Sequence, residues 1–482
     1  MTEILWEPKE ENIKKTNMLA LYKRVFVNKI SQDKDFDYSA LHKWSIDNIE
    51  EFWNEVWDDA NIIGIKGNQT VNNFDDLIKS EFYPEGRLNF AENLLVGNDN
   101  REAIVFYGEG KNRQSLTLKE LKEKVIILAK WLIKNDVSPG DRVAVLATNS
   151  PETIISMLAT SAIGAIFTSC SPDFGEEGII DRFGQCNPKI LITTNGYIYG
   201  GKKYDISDKI NNISDRIPSI KEVIHIRYID EINTEYDNDW FEILSEKNED
   251  EFEFIKFPFN DPLYILYSSG TTGKPKCIIH SAGGTLIQHI KEHRYHCDMQ
   301  ENDRIMYFTT CGWMMWNWMV TALASKVTLV LYEGSPIFPN PLILFEIAEN
   351  EKLSFFGASA KYIDSLNKLK IQPNEKNHYD KLRVFASTGS PLAPKSYDWV
   401  YSNVKKDLQL SSISGGTDIV ACFVHGNPCL PVKRGEIQCS SLGMDVQSWD
   451  DSGLRIFDLP GELVCINSFP SIPLGFWNDE DN

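Results

Sequence analysis

Nine cysteines contain no C-x-x-C pair, and the chain has no excess of positive charge and no apolar run of membrane-spanning length. Each absence closes off a class. An odd cysteine count without close pairs fits reduced thiols in a cytosolic protein. Lys and Arg total 49 against 69 Asp and Glu, so the formal charge is −20. That balance argues against nucleic acid or an anionic membrane as partner, and it leaves local anion binding open. The longest apolar stretch, residues 314–324, is interrupted by Asn317 and falls short of a span, so no stable membrane association is expected. The N-terminus is charged from its third residue and lacks a signal-peptide core. No internal repeat or long low-complexity tract occurs.

What is there is a chain of 482 residues, 42% hydrophobic, too long for one small domain. Residues 1–85 are polar with scattered tryptophans. Within them Ile46, Ile49, Phe52, Trp53 and Val56 fall near helical spacing. From residue 100 a more regular pattern begins. Thr117 and Glu120 read as a capping box. Leu118, Leu121, Val125, Leu128 and Leu132 then form one helical face. The runs RVAVL, GAIFTS and KILIT read as strands alternating with helices, one of them started by Pro151, the pattern of a parallel α/β sheet. Residues 200–255 look irregular. RIMYFTT, KVTLVLY, LSFFGAS and LRVFAST predict a second sheet. After about 425, RGEIQC, LRIFD and GELVCIN predict short antiparallel strands.

The segment LYILYSSGTTGKPK, residues 263–276, combines strand formers with glycines, hydroxyls and lysines. Glycine admits a close ligand, hydroxyls and N–H groups bind anions, and lysine neutralises them. It is not a Walker A loop. Only Thr271 and Thr272 separate Gly270 from Gly273, and Pro275 stands where that motif needs Ser or Thr. Residues 276–279 read as a strand, so this is a loop between two strands. Taken alone it could be a plain surface hairpin.

Four segments in order resemble the adenylate-forming superfamily of acyl-CoA synthetases, luciferases and peptide-synthetase adenylation domains. They are the loop 267–276, STGSPLAP at 387–394, SGGTD at 414–418 and GELV at 461–464. More narrowly, YPEGRLNFAENLL, CSPDFG, DRFGQ and GWMMWNWM resemble the acetoacetyl-CoA synthetase branch, over nearly the whole chain. The resemblance implies the large N-terminal domain of that superfamily. Its parts would be a helical segment 1–85, an α/β subdomain 86–260, a second α/β subdomain 261–425 and a β subdomain 426–482. It implies an acid–thiol ligase that uses ATP, Mg²⁺ and coenzyme A on acetoacetate in the cytosol.

By resemblance, Ser269, Gly270, Thr271, Thr272, Gly273 and Lys276 hold the β- and γ-phosphates, with Thr272, Lys276 and Thr417 as the catalytic set. Gly389, Ser390 and Pro391 match the adenine-contacting turn, and Gly415, Gly416 and Thr417 the motif at the α-phosphate. Asp418 stands where the wider superfamily has a Glu that holds Mg²⁺. Each could instead be an ordinary turn. Trp313, Met314 and Met315 would wall the acyl pocket, flexible methionines and flat rings shaping a small slot. Trp313, Trp316 and Val320 share helical spacing, so a plain core helix is the competing reading. Acetate-activating relatives carry Trp at the position of Gly415, and a glycine there is expected to leave room for a larger acid. Two other readings stay open, a synthetase for acetate or propionate and an inactive nucleotide-binding remnant. The remnant reading rests on the sequence stopping before the superfamily's ribose-binding Asp and its mobile C-terminal domain, whose absence is expected to limit the full reaction.

Overall fold

The computed structural model describes residues 3–29, 35–232, 238–246, 251–268, 273–375 and 377–479. Two seven-stranded sheets organise it. The first runs, edge to edge, Glu222–Ile226, Ile190–Thr194, Arg142–Leu146, Ile166–Cys170, Pro262–Ser268, Lys276–Ser281 and Gly475–Phe476. The second runs Gln409–Ser412, Val384–Thr388, Phe355–Ser359, Arg304–Tyr307, Thr328–Glu333, Glu102–Gly108 and Gln114–Thr117. Pairing is parallel through the centre of each. Such strands are covered on both faces, which is why RVAVL reads as a nearly continuous apolar run. Val143, Ala144, Val145 and Leu146 are all fully buried.

Local signals act as read. Thr117 and Glu120 close both hydrogen bonds of the capping box on the helix Leu118–Lys134, whose predicted face is buried. Pro151 opens the buried helix Pro151–Ala162, where a missing N–H costs nothing. Residues 276–279 lie in the strand Lys276–Ser281, antiparallel to Pro262–Ser268.

Other expectations need correction. Boundaries at 260 and 425 do not coincide with the sheets. Glu102–Gly108 pairs in parallel with Thr328–Glu333 and so belongs to the second sheet, while Pro262–Ser268 pairs with Ile166–Cys170 in the first. Residues 426–479 do not form one β unit. Val432–Lys433 pairs with Ile4–Trp6, and Gly475–Phe476 closes the edge of the first sheet. Val446–Trp449 and Glu462–Cys465 make a hairpin of their own, and LRIFD contributes only an isolated bridge at Arg455. The stretch 200–255 is more regular than it reads. It holds the helices Ser207–Arg216 and Trp240–Ser245 and the edge strand Glu222–Ile226. The predicted N-terminal helix is two, Tyr38–Asp47 and Ile49–Asp59, broken at Asn48 (φ −125°, ψ 56°).

Candidate active site

Ligands of open α/β sheets bind beyond the carboxyl ends of the strands. Here the carboxyl edges of both sheets meet. Ser169, near the end of Ile166–Cys170, donates its hydroxyl to the Cys311 carbonyl at 2.6 Å. Cys311 lies between the strand Arg304–Tyr307 and the helix Met314–Thr321. Asn149, just after Arg142–Leu146, donates from Nδ2 to the carbonyls of Thr309 and Tyr332, and accepts from Trp316 Nε1 at 2.9 Å. The Asn149 backbone N–H reaches the Glu333 carboxylate at 2.7 Å, and burial pushes the Glu333 pKa up to about 7. Sequence reasoning passed over Asn149, although a polar cluster just past a buried strand was the available signal.

The adenine turn and the SGGTD segment leave neighbouring parallel strands. Gly389, Ser390 and Pro391 follow Val384–Thr388 and are exposed; Gly389 has φ +91°, a conformation that favours glycine. Ser414–Gly416 follows Gln409–Ser412. The Thr388 hydroxyl donates to the Ile413 carbonyl at 2.9 Å and ties the two turns together. Thr417 is half-buried and Asp418 exposed. His280, in the strand that follows the phosphate-type loop, faces the Thr417 backbone, and burial pushes its pKa down to about 3. The structure therefore gathers Trp313, Gly389, Ser390, Pro391, Gly415, Gly416, Thr417 and Asp418 on one edge. Ser269, Gly270, Thr271 and Thr272 lie outside the described residues. Gly273 is exposed, as is Lys276, whose ammonium sits 5.1 Å from the Phe476 ring centroid.

The helix Met314–Thr321 combines both readings of its sequence. Trp313 caps it and is 61% exposed, whereas Met314 is half-buried and Met315 buried. From Trp316 onward it is core, with Trp316 stacked on Phe167 at 6.0 Å between centroids.

Gly415 is exposed, and a Cβ there would stand 1.8 Å from the Ala421 carbonyl oxygen and 2.7 Å from Cys422 Cα. The glycine allows Ser414–Gly416 to cross close to Ala421–His425.

A second polar region lies deeper and was missed from sequence. The helix Ala282–Lys291 continues into Glu292–His296, and between them they bury His289, Lys291, Glu292, His293 and His296 completely. Glu292 accepts from Trp318 Nε1 and the Cys422 N–H, both at 2.9 Å, and lies 3.6 Å from the Lys291 ammonium. Glu292, Cys422 and His425 offer ligand atoms within 4.8 Å of one another. They make a poor metal set. His425 Nδ1 accepts the Gly426 N–H, which leaves the proton on Nε2, and the Glu292 oxygens already have donors. Elsewhere, a cavity of about 530 Å³ at the amino edge of the second sheet is lined by Arg383 and Lys405. Both cations are engaged, Lys405 by three carbonyls and Arg383 by Asp303.

The AMP-binding enzyme family matches residues 92–469, and the acetyl-coenzyme A synthetase N-terminus family matches residues 38–94. The chain is 46% identical over 450 residues to the acetoacetyl-coenzyme A synthetase of Rhizobium meliloti (strain 1021), covering 92% of this chain and 69% of that one. The chain belongs to the AMP-binding enzymes. Within that family it is also 40% identical to the acetoacetyl-CoA synthetase of Gallus gallus, with the same coverages. The solved structure of the acetoacetyl-CoA synthetase from Streptomyces lividans superposes with a TM-score of 0.93 at 36% identity, covering 99% of this chain and 75% of that one. The mixed α/β fold of this AMP-binding enzyme is thus that of its acetoacetyl-CoA synthetase relatives. No helix among the described residues is long and apolar enough to cross a membrane.

Proposed function

We propose that the chain is an acetoacetate–CoA ligase. An acetoacetate carboxylate oxygen attacks the α-phosphorus of ATP and pyrophosphate leaves. The thiol of coenzyme A then attacks the acyl carbon and AMP leaves. The observation that carries this reading is the convergence of the adenine-type turn, Thr417, Asp418 and Trp313 on one carboxyl edge, in a chain whose relatives at 46% and 40% identity bear that activity in their names.

In the first step an anionic oxygen approaches an anionic phosphorus, so the site must offset negative charge. Lys276 and the loop amides near Gly273 would do this for the β- and γ-phosphates, with Thr271 and Thr272 supplying hydroxyls. The Thr417 hydroxyl would bind the α-phosphate, and Gly389, Ser390 and Pro391 would present backbone to the adenine. Asp418 suits Mg²⁺, being an exposed carboxylate with no ion pair to another described residue. Bound there, the metal would supply Lewis-acid charge neutralisation. Trp313 and Met314 would flank the acid. Nine free cysteines, seven of them buried, suit a cytosolic setting.

The test is acid-dependent ATP–pyrophosphate exchange with acetoacetate, acetate and propionate. Acetoacetate is expected to give the highest kcat/KM. A higher value for acetate or propionate moves the assignment to a short-acid synthetase. Exchange with none of the three, in a protein that binds MgATP, leaves only a nucleotide-binding module.

A further inference from the structure

The helix Met314–Thr321 is apolar except for Asn317 and Thr321, and it is buried from Met315 onward. Thr321 is accounted for, since its hydroxyl meets the Asn317 carbonyl and His289 Nδ1. The Asn317 side chain is not. It is fully buried, and neither Nδ2 nor Oδ1 has a hydrogen-bond partner among the described residues. A primary amide sealed in this way is costly, and a leucine of similar size would fit the helix more cheaply. Such a group calls for an explanation beyond packing.

Its position supplies one. Asn317 and Thr321 are four residues apart and share one face of the helix, and Trp313, its N-cap, stands one turn before Asn317. Trp313 marks the open end of that face at the carboxyl edge. Thr321 marks where the face leads, because its partner His289 also bonds the Val420 carbonyl at 2.6 Å. Val420 immediately precedes the strand Ala421–His425, which pairs with the strand carrying Gly415. The stripe thus descends from the nucleotide edge into the space between the hairpin and the helix Ala282–Lys291. Asn317 lies one turn, roughly 6 Å, below Trp313. Met314, three residues earlier and half-buried, is an unbranched side chain able to vacate room above it.

We propose that Asn317 is the specificity-determining residue for the keto group of the acid, its Nδ2 amide donating to the keto oxygen. The inference rests on the ligase reading above. With the carboxylate beside the α-phosphate at Thr417, the chain of the acid runs along this stripe, and its keto oxygen lies beyond the carboxylate in the direction of Asn317. A methylene in place of the carbonyl would leave the amide without a partner, which is how a polar site rejects an isosteric apolar chain.

The test compares two non-reactive adenylate mimics, 5′-O-sulfamoyladenosines carrying an acetoacetyl or a butanoyl chain. Their affinities for the unaltered chain and for Asn317→Leu are measured by calorimetry, beside a thermal melt. The unaltered chain is expected to prefer the acetoacetyl mimic by roughly tenfold to a hundredfold. Asn317→Leu is expected to abolish that preference while melting no lower. A preference of equal size in both proteins overturns the role of Asn317 and leaves the ligase reading intact. Binding of neither mimic by the unaltered chain overturns the ligase reading and this inference with it. Should Asn317→Leu not fold, Asn317→Ala provides the same comparison of affinities.

Discussion

The molecule holds two polar regions built on opposite terms. At the carboxyl edge, Gly389, Ser390, Pro391, Asp418 and Lys276 are exposed. Behind it, His289, Lys291, Glu292, His293, His296 and His425 are completely buried. Charge at the edge stays hydrated until a ligand arrives, so the fold loses little by carrying it. Charge in the interior must be neutralised or paired at all times. The edge is therefore where function is tuned, and the interior is where polar groups are held in place by stability itself. Asn317 stands between them, an interior group with an unmet need that a ligand can meet.

The widest difference should appear with pH. Burial depresses His280, His289 and His425 to about 3. Below pH 6.5 the unfolded chain takes up protons that the folded interior refuses, so stability falls as pH drops from 6.5 towards 3. At pH 5 the loss is about 2 kcal/mol per histidine. Urea unfolding at pH 7 and pH 5 reads it, and coincident midpoints would break the contrast drawn between the regions.

Next in size is Glu292→Gln. It leaves Lys291 as a buried cation without its carboxylate, at a cost of about 3–5 kcal/mol. A chemical denaturation curve within about 1 kcal/mol of the original would show that this pair is held neutral.

At the edge, Lys276→Ala should act on rate instead. Loss of one preorganised electrostatic contact costs about 3 kcal/mol in activation, roughly a hundredfold in ATP–pyrophosphate exchange. Stability should stay within about 0.5 kcal/mol. Unchanged exchange removes Lys276 from the phosphate site.

The smallest effect sharpens the comparison from the middle. Gly415→Trp forces a side chain against the Ala421 backbone, with an expected loss of about 1–3 kcal/mol in stability. Acetate should not gain over acetoacetate in kcat/KM. A clear shift towards acetate would instead support this glycine as the floor of the acid pocket.

Much of the fold was legible because its signals are local. The capping box at Thr117, Pro151 at a helix start and the apolar run of Arg142–Leu146 act through neighbours a few residues away. The exchange of strands between sheets was not legible. Glu102–Gly108 is as apolar as any strand of the first sheet, and only pairing with Thr328–Glu333 assigns it. Likewise the spacing of Trp313 and Trp316 is helical in either reading, and nothing in it says that one ring is exposed and the other stacked on Phe167.

By itself the sequence determined the strands and helices whose local patterns are strong, and which loops carry glycines, hydroxyls and lysines in an order suited to a nucleotide. Periodicity, capping and turn chemistry are short-range, so they are written where they act. Tertiary structure alone decided which strands share a sheet, that backbone passes 1.8 Å from where a Cβ of Gly415 would be, and that the amide of Asn317 is buried without a partner among the described residues. Those properties depend on atoms brought from distant parts of the chain, and no window of sequence contains both sides of the contact.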